Sequence, residues 1–182
     1  MLAGMSPLPN LSSGKLVIKV TAGKEQERTS ELIAELALRG PFRVIAGSDW
    51  LPGYGLVRRL RSRTTTLKHI LGRVHLARAF TCYQVLDLLE SCPDNREPVL
   101  VLDFLNTFHV ADIALFVRTR VLNQCISRLQ RLSLSRPITV FIQPTLAAEY
   151  PRFQSMLASI ADEFLVPESP NPGIPLQPRL FE

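Results

Sequence analysis

Apolar residues fall along this chain in two periods. Short runs rich in β-branched residues read as strands: Leu16 to Val20 (L-V-I-K-V), Phe42 to Ala46, Val74 to Ala79, Val99 to Phe104 and Ile138 to Ile142. Phe164 to Val166 reads as a sixth. Between them the apolar spacing changes to three and four. Leu32, Ile33, Leu36 and Ala37 make one face of a helix over Thr29 to Leu38, with Glu31 and Glu35 outward and Gly40-Pro41 as its stop. Leu56 to Leu71 reads as a basic helix or a pair of helices. Thr81 opens another, with Gln84 at capping-box spacing and Leu86 and Leu89 on the inner face. Ala111 to Leu132 predicts a long amphipathic helix, with Ile113, Val117, Cys125, Leu129 and Leu132 near one stripe, and Pro144 to Ala161 reads as largely helical.

Strands that alternate with helices predict an α/β fold, a mostly parallel central sheet with helices on both faces. Ligands bind such sheets at the carboxyl ends of the strands. Function is therefore expected just after Val20, Ala46, Phe104 and Ile142. A chain of 182 residues makes about one domain and buries a core without disulfides or metal. That domain is expected over residues 13–166, between a flexible leader at 1–12 and a tail at 167–182 that holds five prolines.

Composition removes several function classes. Cys82, Cys92 and Cys125 are odd in number and lack C-x-x-C spacing, which argues against a disulfide framework and a zinc site. Reduced, buried thiols fit a cytoplasmic protein. The first ten residues have neither the basic n-region nor the apolar h-region of a secretory signal. No apolar run is long enough for a bilayer, so no membrane partner is expected. His69, His75 and His109 have no acidic residues spaced to complete a metal site.

Charge adds a location. The net charge is +5, and the basic residues are 17 Arg against 4 Lys. The guanidinium fork suits phosphate and carboxylate, so the bias favours an anion-binding surface; genome composition is the alternative. Residues 50 to 86 hold no Asp or Glu, yet hold Arg58, Arg59, Arg61, Arg63, Lys68, Arg73 and Arg78. Ser62 and Thr64 to Thr66 add hydroxyls for phosphate oxygens, and Trp50 and Tyr54 add stacking faces. Arg58, Arg59, Arg61, Arg63, Lys68 and Arg73 are thus candidate nucleic-acid contacts; an acidic protein partner and an ordinary positive surface are the other two readings. A second acid-free stretch, Ile113 to Ala148, carries Arg118, Arg120, Arg128, Arg131 and Arg136. Near a helix C-terminus, Arg128 and Arg131 also suit the helix dipole.

Four segments, in order over residues 13 to 143, carry a family resemblance. Ser13-Gly14-Lys15-Leu16 leads into V-I-K-V. Val74 to Thr81 reads V-H-L-A-R-A-F-T, and Val99 to Asp103 reads V-L-V-L-D. Phe116 to Pro144 places a long helix before a strand that ends in Gln143. Together these resemble the RecA/RadA recombinase-like ATPases, the archaeal and eukaryotic branch more than the bacterial. The resemblance implies a three-layer RecA-like core. It implies that Asp103 matches the Walker B carboxylate that orders Mg²⁺, that Gln143 matches the phosphate-sensing Gln, and that Asp49 falls near the catalytic carboxylate.

The Walker A window departs from that pattern. A phosphate loop needs G-x-x-x-x-G-K-[ST], because glycines let backbone N–H groups wrap phosphate and Lys reaches the outer phosphates. Ala22 to Thr29 reads A-G-K-E-Q-E-R-T: both glycines are missing, Arg28 replaces Lys, and only Thr29 survives. The lone Gly23-Lys24 comes too early. Glu25 and Glu27 set anions where a polyphosphate would sit, and each would repel a phosphate by roughly 1 kcal/mol even at water-like permittivity. The expectation is a non-catalytic RecA-like protein with a degenerate Walker A, needing no cofactor and serving DNA recombination or repair. Its expected partners are DNA, an acidic protein, a RecA-like protein or a second copy of itself. An atypical ATPase taking ATP and Mg²⁺ on Lys24, Arg28, Thr29, Asp49, Asp103 and Gln143 is the alternative. A structural or regulatory subunit, docking by its sheet edge, is a third reading.

Overall fold

The computed structural model describes residues 14–21, 26–48, 53–109 and 112–167. The leader and, Pro167 excepted, the tail lie outside these residues, as do Lys24, Glu25, Asp49 and Trp50. Six strands, β1 (Leu16–Val20), β2 (Phe42–Ala46), β3 (Val74–Arg78), β4 (Val99–Leu102), β5 (Ile138–Ile142) and β6 (Glu163–Leu165), pair in the order β3-β2-β4-β5-β1-β6. Every described pairing is parallel. The helices are α1 (Gln26–Arg39), α2 (Gly53–Arg61), α3 (Leu67–Leu71), α4 (Cys82–Glu90), α5 (Leu115–Ser133) and α6 (Tyr150–Ala158), with a 3₁₀ turn over Phe104–Phe108.

Side-chain alternation along the strands builds the layers. Val44, Ala46, Leu100, Leu102 and Phe141 pack with α1, α2 and α3 in one apolar cluster. Their neighbours Ile45, Val99, Val101, Val140 and Ile142 pack with α4, α5 and α6 in the other. A strand buried on both faces has no polar side to show, which is why β4 and β5 read as unbroken apolar runs. The result is an α/β fold consistent with a three-layer RecA-like core.

Several boundaries differ from the expectation, each for a local reason. The fourth strand ends at Leu102, because Asp103 takes a left-handed backbone (φ 50°, ψ 42°) and turns the chain into the 3₁₀ segment. Asp tolerates that region better than most L-residues. The helix expected over Pro144 to Ala161 is confined to Tyr150–Ala158. Pro144 disfavours a helical backbone at Gln143, and Pro151 fits only the first turn of a helix. The basic segment is two helices, separated by the turn at residues 62–66. The expected capping box at Thr81 is present in altered form. Gln84 N–H donates to Thr81 Oγ1 at 3.3 Å, while Gln84 Oε1 accepts from the Phe80 N–H at 2.7 Å.

Arginines, one of them buried, tie the layers together. Arg136, 1% exposed, donates to Pro93 O (2.7 Å) and Asn95 Oδ1 (3.1 Å) and so pins the turn before β4 to the start of β5. Arg128 donates to the carbonyls of Leu89 and Glu90 at the end of α4, and Arg73 to those of Ala37 and Leu38 near the end of α1. Each satisfies carbonyls that a helix end leaves open.

The loops after β2 and β4 cross at Gly47. Its N–H donates to Leu102 O at 2.8 Å, and a Cβ there would stand 2.6 Å from the backbone oxygen of Asp103. Backbone cannot yield as a side chain does. Gly47→Ala should therefore lower stability by about 1–3 kcal/mol. A urea unfolding curve checks this, and an unchanged midpoint would mean the crossing has spare room.

Candidate functional site

The carboxyl ends of β1, β2, β4 and β5 lie at one rim of the sheet, as parallel pairing requires. Thr21 follows β1 and is buried; its N–H and hydroxyl both donate to Ile142 O. Ser48 follows β2 and donates from Oγ to Asp103 Oδ2 at 2.5 Å. Asn106, on the 3₁₀ turn, donates from Nδ2 to Gly47 O at 3.0 Å. Among the described residues, Ser48, Asp103, Asn106, Gln143 and Thr145 enclose a cleft of about 60 Å³. That holds a few waters, whereas small-molecule pockets run to about 300–1,000 Å³.

The structure thus brings together two of the residues singled out for phosphate chemistry, Asp103 and Gln143. Arg28 and Thr29 stand in the first turns of α1, Arg28 exposed and Thr29 buried, and neither lines the cleft. Lys24 and Asp49 lie outside the described residues. Of Glu27 and Tyr54 only the backbone is described.

Beside the cleft sits an ionic network that no local motif announces. Arg118, buried on α5, donates to Phe108 O at 2.8 Å and pairs with Glu149. His109 Nδ1 lies 3.6 Å from the same carboxylate, and its Nε2 is 3.3 Å from Thr145 Oγ1. The His109 ring stacks on Phe153 at 6.3 Å between centroids. Thr145 belongs to both cleft and network, so the segment after β5 is fixed from two sides. Burial pushes the His109 imidazole below its ordinary value, against the opposing pull of Glu149. The Glu149 carboxyl is held below the usual range first by its own backbone N–H and then by Arg118. The sequence did carry one signal for Arg118: it shares the inward register of Val121, Leu122 and Cys125.

The basic segment resolves into separate roles. Arg63 pairs with Glu35 and, at 3.4 Å, with Glu31, so its counter-charge comes from α1 across the layer. Arg73 clamps the end of α1. Arg58, Arg61 and Lys68 are exposed and make no side-chain hydrogen bond or ion pair among the described residues; Arg59 is half-buried on the same helix. Arg78 lies over the Phe80 ring at 4.6 Å. The three thiols are buried and free, and Cys125 is raised well above its ordinary value by desolvation. Among the described residues there is no cluster of metal-binding side chains, and no helix is long and apolar enough to cross a membrane.

No protein-family model matches the chain, and no curated protein matches it.

The His109–Glu149–Arg118 network makes stability depend on pH. Both titrating groups have folded values below their unfolded ones, so the unfolded chain takes up protons first as the pH falls. Their stabilisation is present above the unfolded values, about 6.5 for His and 4.3 for Glu, and is lost below them. Urea titrations from pH 7 to pH 4 should show falling stability, with His109→Gln removing the upper part of the fall. Glu149→Gln should cost about 2–3 kcal/mol at pH 7, because Arg118 is left without its counter-charge. Superimposable pH profiles for the three proteins would contradict this account.

Proposed function

We propose that this chain is a non-catalytic member of the RecA/RadA recombinase-like family with a degenerate Walker A, acting as a DNA-binding or partner-binding accessory factor in recombination and repair. The observation that carries the reading is the cleft at the carboxyl rim. The carboxylate in the Walker B position, Asp103, is already engaged by Ser48, in a space of about 60 Å³. The sheet order and the ordered sequence segments support the family. In the sequence, Glu25 and Glu27 put negative charge within the Walker A window, which disfavours a polyphosphate.

Two surfaces support binding rather than turnover. On one helical layer Arg58, Arg61 and Lys68 offer positive charge with no carboxylate neutralising it among the described residues. At one end of the sheet β3 has an edge that no described strand pairs with, flanked by exposed Leu76, Phe80 and Tyr83. Such an edge accepts an added strand, with apolar side chains supplying specificity. This is the surface by which a RecA-like partner, or a second copy, would dock. One feature favours the ATPase alternative: Asp103 is held at positive φ, and backbone strain of that kind collects at working sites.

Three measurements separate these readings. Duplex DNA should bind with a steep salt dependence, and replacing Arg58, Arg61 and Lys68 together by Ala should lower the slope of log K against log salt by about 2–3. Absence of binding at low salt would remove the DNA half of the proposal. Saturation by labelled ATP with Mg²⁺ at micromolar concentration would replace the non-catalytic reading with the ATPase one. Phe80→Glu, at a side chain 61% exposed, should abolish association with the partner or with itself and leave the melting temperature within a few degrees. Unchanged association would take the sheet edge out of the account.

A further inference from the structure

The outer face of α5, on the layer opposite α2, holds an organised stripe of its own. Val121, Leu122, Cys125, Ile126 and Leu129 turn inward. At steps of three and four, the outward positions are Phe116, Arg120, Asn123 with Gln124, Ser127 and Arg131. These line a groove of about 560 Å³ against the end of α4. The stripe runs about 22 Å along the helix. Phe116 is 77% exposed at one end. The side chains of Arg120 and Arg131 make no hydrogen bond or ion pair among the described residues, in contrast to those of Arg118 and Arg128 on the same helix, which are both engaged.

We infer that this groove binds a short run of single-stranded nucleic acid. The nature of the lining selects that ligand. A docking helix needs a row of apolar anchors, and this stripe has one apolar residue, Phe116. A single strand needs what is present: a flat aromatic face for a base, guanidinium groups for phosphates, and amide and hydroxyl groups between them for base edges and sugars. The spacing of Arg120 and Arg131, three helical turns apart, suits an extended backbone rather than one compact anion. Glu90, on the α4 wall, would repel phosphate, so the backbone runs along the arginine side with the bases toward α4. The groove is too open for a buried small molecule and too polar for a membrane surface.

The inference rests on the nucleic-acid reading proposed above, but on different residues and a different layer, so the two fail separately. The test measures anisotropy of a short fluorescein-labelled oligothymidylate against the full chain at several salt concentrations. Replacing Arg120 and Arg131 together by Ala should lower the salt slope by about 1.4, and Phe116→Ala should weaken binding by about tenfold with little change in slope. Arg120→Lys with Arg131→Lys should keep the slope. Melting curves check that each variant folds. If the α5 variants bind the oligonucleotide like the parent while the Arg58, Arg61, Lys68 variant binds it less well, the groove is not the site. If polyglutamate competes as well as the oligonucleotide and Phe116→Ala has no effect, the groove takes an acidic protein and the inference is overturned. If the parent binds no oligonucleotide at low salt, the inference and the nucleic-acid reading fall together, unless duplex still binds, which sinks the groove alone.

Discussion

The layers of this structure answer to a sheet whose central strands must be dry on both faces. Leu100 and Leu102 point into one helical layer, Val99 and Val101 into the other, and none of the four is more than 2% exposed. Each such side chain contributes about 1.5–3 kcal/mol relative to exposure, but only if both layers are present. The constraint removes polar chemistry from the sheet interior. It concentrates hydrogen-bonding groups at the carboxyl rim, where the chain leaves β2, β4 and β5 and side chains can meet without crossing apolar space. Ser48, Asp103, Asn106, Gln143 and Thr145 meet there for that reason.

The same constraint sorts the arginines. Between a buried sheet and its covering helices, the open carbonyls at helix ends and turns need donors that reach across layers, and a forked guanidinium supplies two at once. Arg73, Arg128 and Arg136 are spent in this way. Arg118 does so with one carbonyl and one carboxylate, and Arg63 is balanced by α1. Others, among them Arg58 and Arg61 on one layer and Arg120 and Arg131 on the other, carry charge that the fold itself does not consume. A surplus of Arg over Lys therefore has two origins, architectural and surface, and the net charge of the chain does not separate them.

Much of the fold was legible in the residues. L-V-I-K-V, Phe42 to Ala46 and Ile138 to Ile142 begin and end in the structure where apolar periodicity places them. Strands buried on both faces leave a simple trace. The turn at Asp103 was hidden, because Phe104 continues the apolar run while the backbone has already changed direction. The helix after β5 was overextended, because Pro144 and Pro151 limit it more than its composition shows. The cleft was half visible: Asp103 and Gln143 stand at strand ends, but Ser48 and Thr145 are ordinary loop residues until the fold adds their neighbours. The ion pairs were invisible for a plain reason. Arg63 meets acids about thirty positions away, as does Arg118, and no local window contains both partners.

The strand order has a consequence in time. β1 is made before the other five strands, yet its two sheet neighbours are β5 and β6; Thr21 and Ile142, bonded across that seam, are 121 residues apart in the chain. At ribosomal speeds of about 5–20 residues per second, the apolar run from Leu16 to Val20 waits for several seconds or more before a neighbouring strand exists to receive it. During that interval β2, β3 and β4 can already associate, while β1 remains a five-residue β-prone segment with unpaired backbone on both sides. The β5-β1-β6 side of the finished sheet is thus assembled last, from segments far apart in the sequence. Capture of the nascent protein, by a chaperone or by another copy, has its widest opening at a strand that the native fold buries at four of its five positions.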